Sequence, residues 1–151
     1  MKGIHVERIY PHPIERVWEA VATARGLSAW LMPNDFEPRV GHRFTLRWKK
    51  SPGWRGFVEC EVLELDPMRR LVFSWVGNPD QKPLTVTFTL EPVGEGTRLV
   101  LDHEGFVGLG GFVSKMMMKN GWRKGMFGRR LPAALATMAT RGSDALVALV
   151  P

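Results

Sequence analysis

The histidine His103 is the residue of this chain best placed to do chemistry. It follows Leu99 and Leu101 in an alternating segment, so its imidazole is predicted to point to the apolar side of a strand. A lone imidazole on an apolar wall can hydrogen-bond a ligand carbonyl or phenol, or act as a general base. A backbone carbonyl or a side chain of the last helix can equally satisfy it, as is usual for buried polar groups. The sequence favours the second interpretation and leaves the first open.

Other patterns that support catalysis or metal binding are incomplete. The remaining histidines, His5, His12 and His42, have no metal-ligand spacing with one another or with His103, so neither a metal site nor a cofactor is predicted. Glu59 and Glu61 alternate outward on a strand, which indicates a solvated face rather than an acid–base pair. No serine lies in a G-x-S-x-G setting. An enzyme is therefore the less favoured class.

Aromatic and sulfur-containing side chains are abundant, with 6 Trp and 8 Met among 151 residues. Indole rings bind planar or lipidic ligands, and Met adapts its packing to varied ones. The residues predicted to line a ligand cavity are Trp30, Phe44, Leu46, Trp48, Cys60, Phe73, Trp75, Val86, Phe88, Leu101, His103, Trp122 and Met126. Ordinary core packing explains the same residues about equally well. Cys60 has no nearby cation that would activate its thiol, which favours a small buried hydrophobe.

The length and the cysteine content limit the classes of protein to which this chain can belong. A chain of this length fits one domain, predicted over residues 1–142 with an apolar tail over 143–151. The tail either docks on the body or forms a subunit contact in a homodimer. A single cysteine fits a reducing compartment, and neither an export signal nor a run of about 18 apolar residues is present. These features predict a cytoplasmic protein.

The net charge of +6 belongs to one segment. Residues 1–104 carry 14 basic and 14 acidic side chains, whereas residues 105–151 carry seven basic and one acidic. Lys115, Lys119, Arg123 and Arg130 fall on one helical face, predicted to be solvated. Only Trp122 beside them could stack on a base, so no nucleic-acid partner is expected. Contact with an anionic membrane or an acidic protein is the partner hypothesis.

The predicted elements are a strand over 3–10, a helix from Ile14 to Val21, a short helix over 27–31, antiparallel strands to about residue 106, and a helix over 112–140. A phase break predicts a bulge near Val62, and Gly142 is the predicted C-cap of the last helix. Pro132 should kink that helix. Either both sides of the last helix are covered, or its helical phase resets near Gly121. The order indicates an α+β fold in which a curved sheet wraps around the C-terminal helix.

Several motifs in this order resemble the START-like (SRPBCC) superfamily with its helix-grip fold, and within it the family of activators of the heat-shock chaperone ATPase. They are residues 13–18 (PIERVW), Trp30 with residues 33–36 (PNDF), 40–44 (VGHRF), 96–99 (GTRL), 103–106 (HEGF) and 121–122 (GW). The resemblance covers the chain to about residue 139. It implies a hydrophobic-ligand cavity between the sheet and the last helix.

Binding of a lipophilic or aromatic small molecule is therefore the expected function. The alternatives are a cyclase- or hydrolase-like enzyme of the same fold with His103 as acid or base, and a cochaperone-like regulator of a heat-shock chaperone. The second alternative rests on the family name alone, because this chain lacks the extra domain of those cochaperones.

Overall fold

The protein, described here by a computed structural model over residues 2–150, is a six-stranded sheet with helices against one face. Its elements are β1 (Ile4–Tyr10), α1 (Ile14–Val21), α2 (Ala24–Trp30), β2 (Arg43–Arg47), β3 (Phe57–Asp66), β4 (Arg70–Trp75), β5 (Leu84–Val93), β6 (Gly96–Glu104), α3 (Gly108–Asn120), a π-helical segment (Gly121–Arg130), α4 (Leu131–Arg141) and a 3₁₀ tail helix (Ser143–Leu149). Met1 and Pro151, which belong to the predicted domain and tail, lie outside the described residues.

The sheet has the strand order β1-β6-β5-β4-β3-β2, and every neighbouring pair is antiparallel. Alternate residues of each strand face the helices, and this face is buried. The register shifts between Val62 and Glu64, which confirms the bulge predicted near Val62. The α+β helix-grip architecture with a curved sheet is confirmed.

The two short helices after β1 are held together by a close backbone approach. Thr23 caps α2, because its hydroxyl accepts a 3.0 Å hydrogen bond from the Gly26 N–H. A Cβ added at Gly26 would lie 2.5 Å from the carbonyl oxygen of Ala20 in α1, so only glycine fits there. The Thr23 cap starts α2 at Ala24, three residues before the predicted start at Leu27.

The last helix runs continuously from Gly108 to Arg141 but changes its hydrogen-bond pattern in the middle. In the π segment the bonds span five residues, and the Leu131 N–H donates to Met126 O. This wider turn resets the helical phase at Gly121, the second of the two predicted alternatives. Phe127 and Leu131 are buried, whereas Val113 and Met117, which an uninterrupted α-helix would place on the same face, are 51% and 74% exposed.

The start of this helix differs from prediction, whereas its end agrees. It begins at Gly108 rather than at residue 112. Pro132 is the second residue of α4 and follows the π segment immediately. Gly142 ends it with a φ of 82°, and its N–H donates to Met138 O at 3.1 Å, so the predicted C-cap is confirmed.

The apolar tail docks on the body of the protein. Leu146 is completely buried, and the tail helix packs against α2 and α4. Of the two predicted roles for residues 143–150, the structure shows the intramolecular one. Over residues 2–150, no helix combines the length and apolarity needed to span a bilayer.

Candidate functional site

His103 is fully buried at the end of β6, where it pairs with Ile4 on one side and Val86 on the other. The Trp122 Nε1–H donates a 3.1 Å hydrogen bond to His103 Nδ1. Since Nδ1 is an acceptor, the proton of the neutral ring lies on Nε2. Within residues 2–150, Nε2 has no hydrogen-bond partner. Burial lowers the pKa of His103 to about 3, so the imidazole is neutral at physiological pH.

Aromatic rings enclose this imidazole. Their centroids lie 5.0 Å away for Trp75, 5.1 Å for Phe106 and 6.0 Å for Trp122. Trp122 can reach His103 because the π segment turns it inward together with Phe127, five residues later. The irregular part of the helix thus positions the partner of the buried histidine.

An apolar cavity of about 450 Å³ lies on the other side of Trp75 and Trp122. Its walls come from the end of β4, the loop before β3, the loop after β4, and one side of α3 and the π segment. The lining residues are Met32, Ser51, Pro52, Gly53, Trp54, Val58, Trp75, Gly77, Asn78, Gln81, Ser114, Met117, Met118, Gly121, Trp122 and Met126. A cavity of this size accommodates a small organic molecule.

Trp75 offers this cavity an unused hydrogen-bond donor. Its Nε1–H has no acceptor among residues 2–150, but it is not sealed from the cavity as His103 Nε2 is. It lies 4.0 Å from the point where a Cβ on Gly77 would stand, and Gly77 also lines the cavity, so the donor lies at the cavity wall. By contrast, the Trp54 Nε1–H is occupied by Gly77 O at 3.1 Å.

The predicted cavity residues separate into three groups. Trp75, Trp122 and Met126 line the cavity. The structure places most of the others in the closed core, where aromatic rings pack edge to face; they are Trp30, Leu46, Phe73, Val86, Phe88 and Leu101, with His103 behind the two indoles. Phe44 and Cys60 are also buried, and they border a shallow groove along β2 and β3. Burial raises the pKa of the Cys60 thiol, as expected for a small hydrophobe.

Trp48 was predicted to line the cavity, but the structure places it elsewhere. Its predicted alternation with Phe44 and Leu46 ends when β2 stops at Arg47, and its side chain is 44% exposed. Its ring lies 5.9 Å from the guanidinium of Arg130. Arg130 in turn donates to Leu31 O at 3.1 Å and is half-buried, so it does not share the solvated basic face predicted for it. The π segment turns it away from Lys115, Lys119 and Arg123.

Several cavity residues were not predicted. The Ser51–Trp54 loop and the Gly77–Gln81 loop contribute seven of the sixteen lining residues, and Met32 lies just beyond α2. Two adjacent glycine- and proline-containing loops were the available signal, yet nothing in the sequence places them beside α3. Met117 and Met118 also line the cavity and were not among the residues predicted to line it, although the abundance of methionine was a general signal for adaptable packing.

The model of the family "Activator of Hsp90 ATPase homolog 1-like protein" matches residues 11–136. This chain belongs to that family. Membership of the Hsp90-activator-homologue family confirms the resemblance in residues 13–122. A search of curated protein sequences gave no match.

Solved structures of similar proteins cover nearly the whole chain. Protein MLL2253 from Mesorhizobium loti is 34% identical over 88% of this chain and 95% of its own, with a TM-score of 0.74. Protein BH1534 from Bacillus halodurans is 30% identical over 88% and 96%, with a TM-score of 0.72. DynU16, a protein of the dynemicin biosynthetic locus, is 27% identical over 89% of this chain and 47% of its own, with a TM-score of 0.74.

Proposed function

We propose that this protein binds a small lipophilic molecule that carries a hydrogen-bond acceptor, in the cavity between Trp75 and Trp122. The observation that carries the proposal is the open Trp75 Nε1–H in a mostly apolar wall. A largely apolar cavity with a few oriented polar groups is the usual form of a small-molecule site.

The chemistry of the wall supports a flat or flexible apolar ligand. The indoles of Trp54, Trp75 and Trp122 offer ring faces, and the thioethers of Met118 and Met126 adjust to different shapes. At the mouth, Asn78 and Gln81 provide amides for a polar end. DynU16 is encoded in a biosynthetic locus, a setting in which a protein that binds small organic molecules is expected, so its similarity to this chain supports the proposal.

Binding is favoured over catalysis by the state of His103. With a pKa of about 3 the imidazole takes up a proton poorly near neutrality, and its Nδ1 lone pair is used by Trp122. His103 does not line the cavity. Trp75 and Trp122, whose rings pack against the imidazole, lie between it and a bound ligand. Among the residues that line the cavity, none is an Asp, Glu, Lys, Arg, His or Cys.

The test uses prodan, a fluorescent naphthalene with a ketone, together with its ketone-free analogue 2-dimethylaminonaphthalene. Titration of wild-type protein should give saturable prodan binding in the micromolar range. Trp75→Phe removes the donor and replaces the indole by a smaller phenyl ring, so the change in packing acts on both probes. Prodan should lose about tenfold more affinity than the analogue, the value of one hydrogen bond.

Trp48→Phe is the matched control, because it removes an indole N–H at the surface and should change neither affinity. Met126→Trp should fill the cavity and abolish binding of both probes. The proposal fails if prodan binds no more tightly than millimolar, or if Trp75→Phe and Trp48→Phe affect it equally. Recovery of a chemically altered probe from wild-type protein would favour the enzyme alternative.

A further inference from the structure

We infer that the outer face of α3 docks on an anionic lipid membrane. The face consists of Leu109, Phe112, Val113, Met116 and Met117, which recur at helical spacing along one side of α3. Their exposed fractions run from 49% for Phe112 to 81% for Leu109, and no residue of α3 is buried. This surface is independent of the proposed ligand binding, although Met117 also borders the cavity.

Among the residues that the structure describes, the α3 outer face is the largest group of exposed apolar side chains. Of the twelve large apolar residues that are exposed within residues 2–150, five belong to it and a sixth, Val107, immediately precedes α3. Isolated exposed apolar residues are normal, whereas a contiguous group marks an interaction surface. Apart from the π segment, which continues the same helix, α3 makes few contacts with the other elements, so its outer side is free to contact a membrane.

Positive charge borders this face. Lys115 and Lys119 lie one turn apart, next to Phe112 and Met116, and Arg123 and Lys124 follow in the π segment. None of these four takes part in an ion pair with another residue in the 2–150 range. No acidic residue occurs between Glu104 and Asp144. An apolar face bordered by lysines is typical of a helix that lies in the interface of an anionic membrane.

The basic surface extends across the mouth of the cavity. Exposed Lys49 and Lys50 immediately precede the Ser51–Trp54 loop, and this loop shares the cavity wall with Met117. Lys49, Lys50 and the lysines of α3 therefore lie at the same end of the molecule. A planar anionic surface can meet both groups at once, since each stands beside the same opening.

A second copy of the chain fits this face poorly. Thirteen helical residues span about 20 Å, and a helix is about 10 Å wide, so one copy would bury only about 200 Å². A stable interface buries about 800 Å² on each partner. A symmetric pairing would also bring Lys115 and Lys119 towards the same residues of the other copy. An acidic protein would satisfy the charge, but it would need a groove to receive a convex apolar helix.

The experiment places an environment-sensitive fluorophore on the face and mixes the protein with phosphatidylcholine vesicles, with or without phosphatidylserine. Cys60 is buried, so Met117→Cys can be labelled selectively with a nitrobenzoxadiazole dye. Val147→Cys, at a site that is 71% exposed against 74% for Met117, is the matched control at the tail helix. Only the label at position 117 should shift to the blue and brighten, and only with phosphatidylserine present.

Cosedimentation with the same vesicles separates the two contributions. Lys115→Glu with Lys119→Glu should weaken binding about 30-fold or more, and added salt should mimic this loss. Leu109→Ser with Phe112→Ser should weaken it about tenfold, because the apolar side chains no longer enter the interface. Arg69→Glu with Arg98→Glu changes the net charge equally at the opposite end of the sheet and should have little effect.

Each of the following results would overturn the inference: equal label responses at positions 117 and 147, binding that needs no phosphatidylserine, binding that is insensitive to Leu109→Ser with Phe112→Ser, and a solution dimer that this pair of substitutions dissociates. Such a dimer would assign the face to a second copy. Absence of vesicle binding would also overturn it, and prodan binding by the same sample would then stand unaffected.

Discussion

Acidification should destabilise this protein through His103. The unfolded imidazole has a pKa of 6.5, whereas burial lowers that of the folded state to about 3. Below pH 6.5 the unfolded chain therefore binds a proton that the folded chain does not. The stability that His103 contributes is complete above the unfolded pKa, and it is lost progressively as the pH falls towards the folded pKa.

The size of this effect follows from the two pKa values. Each pH unit between them costs about 1.4 kcal/mol of unfolding free energy, so a shift from about pH 7.5 to about pH 5 costs about 2 kcal/mol. His103 has no exposed surface, so solvent screening does not reduce this figure. At pH 5 the expected loss of unfolding free energy also depends little on the pKa of His103 in the folded state, provided that this pKa stays below about 4.

Urea unfolding of wild type and His103→Gln, followed by circular dichroism at several pH values, measures the effect. Gln does not titrate, and its amide oxygen can still accept the Trp122 Nε1–H. The pKa of His5 is raised by its hydrogen bond to Asp102, and that of His12 is lowered by burial, but both contribute equally to the two proteins. Wild type should lose about 2 kcal/mol more than the variant. A difference below about 0.5 kcal/mol would show that the folded imidazole is protonated, and would refute the burial argument.

Three further predictions concern packing. Leu146→Ala should lower the unfolding free energy by about 2–4 kcal/mol in urea titrations, because its side chain is fully buried where the tail helix packs against α2 and α4; a loss under about 1 kcal/mol would mean that the tail is not docked. Gly26→Ala should destabilise the protein through the clash with Ala20 O, whereas Gly121→Ala, which meets nothing within 4 Å, should raise the thermal midpoint. The Cys60 thiol should resist 5,5′-dithiobis(2-nitrobenzoic acid) in the folded protein and react in urea; rapid reaction without urea would contradict its burial.

Much of the fold could be predicted because the local pattern carries the information. Strict alternation along β5 and β6 reports one buried and one exposed face, and the phase break after Val62 reports the bulge. The glycine at 142 marks the end of the last helix, since its φ of 82° suits glycine alone. These signals lie within a few residues of the feature they specify.

The ligand site could be predicted only in part. The alternation of apolar and polar residues correctly predicted that His103 and Trp75 point inward. It could not distinguish a residue of the closed core, such as Trp30, from a residue of the cavity wall, because both kinds are apolar and point inward. The same alternation placed Trp48 on the inner face of β2, although the strand ends at Arg47 and the side chain is exposed. The difference depends on which loops stand opposite, and those contacts join segments far apart in the chain.

The sequence by itself determined the strands, the first helices, the family and the concentration of charge after residue 104, since each is written in local composition and order. Only the tertiary structure decided that Trp122 meets His103, that an open Trp75 N–H faces the cavity, and that α3 exposes its apolar side. The physical reason is the π segment. Its wider turns rotate α3 relative to α4, and such a rotation depends on the packing of Trp122 and Phe127 against the sheet rather than on the residues around Gly121 alone.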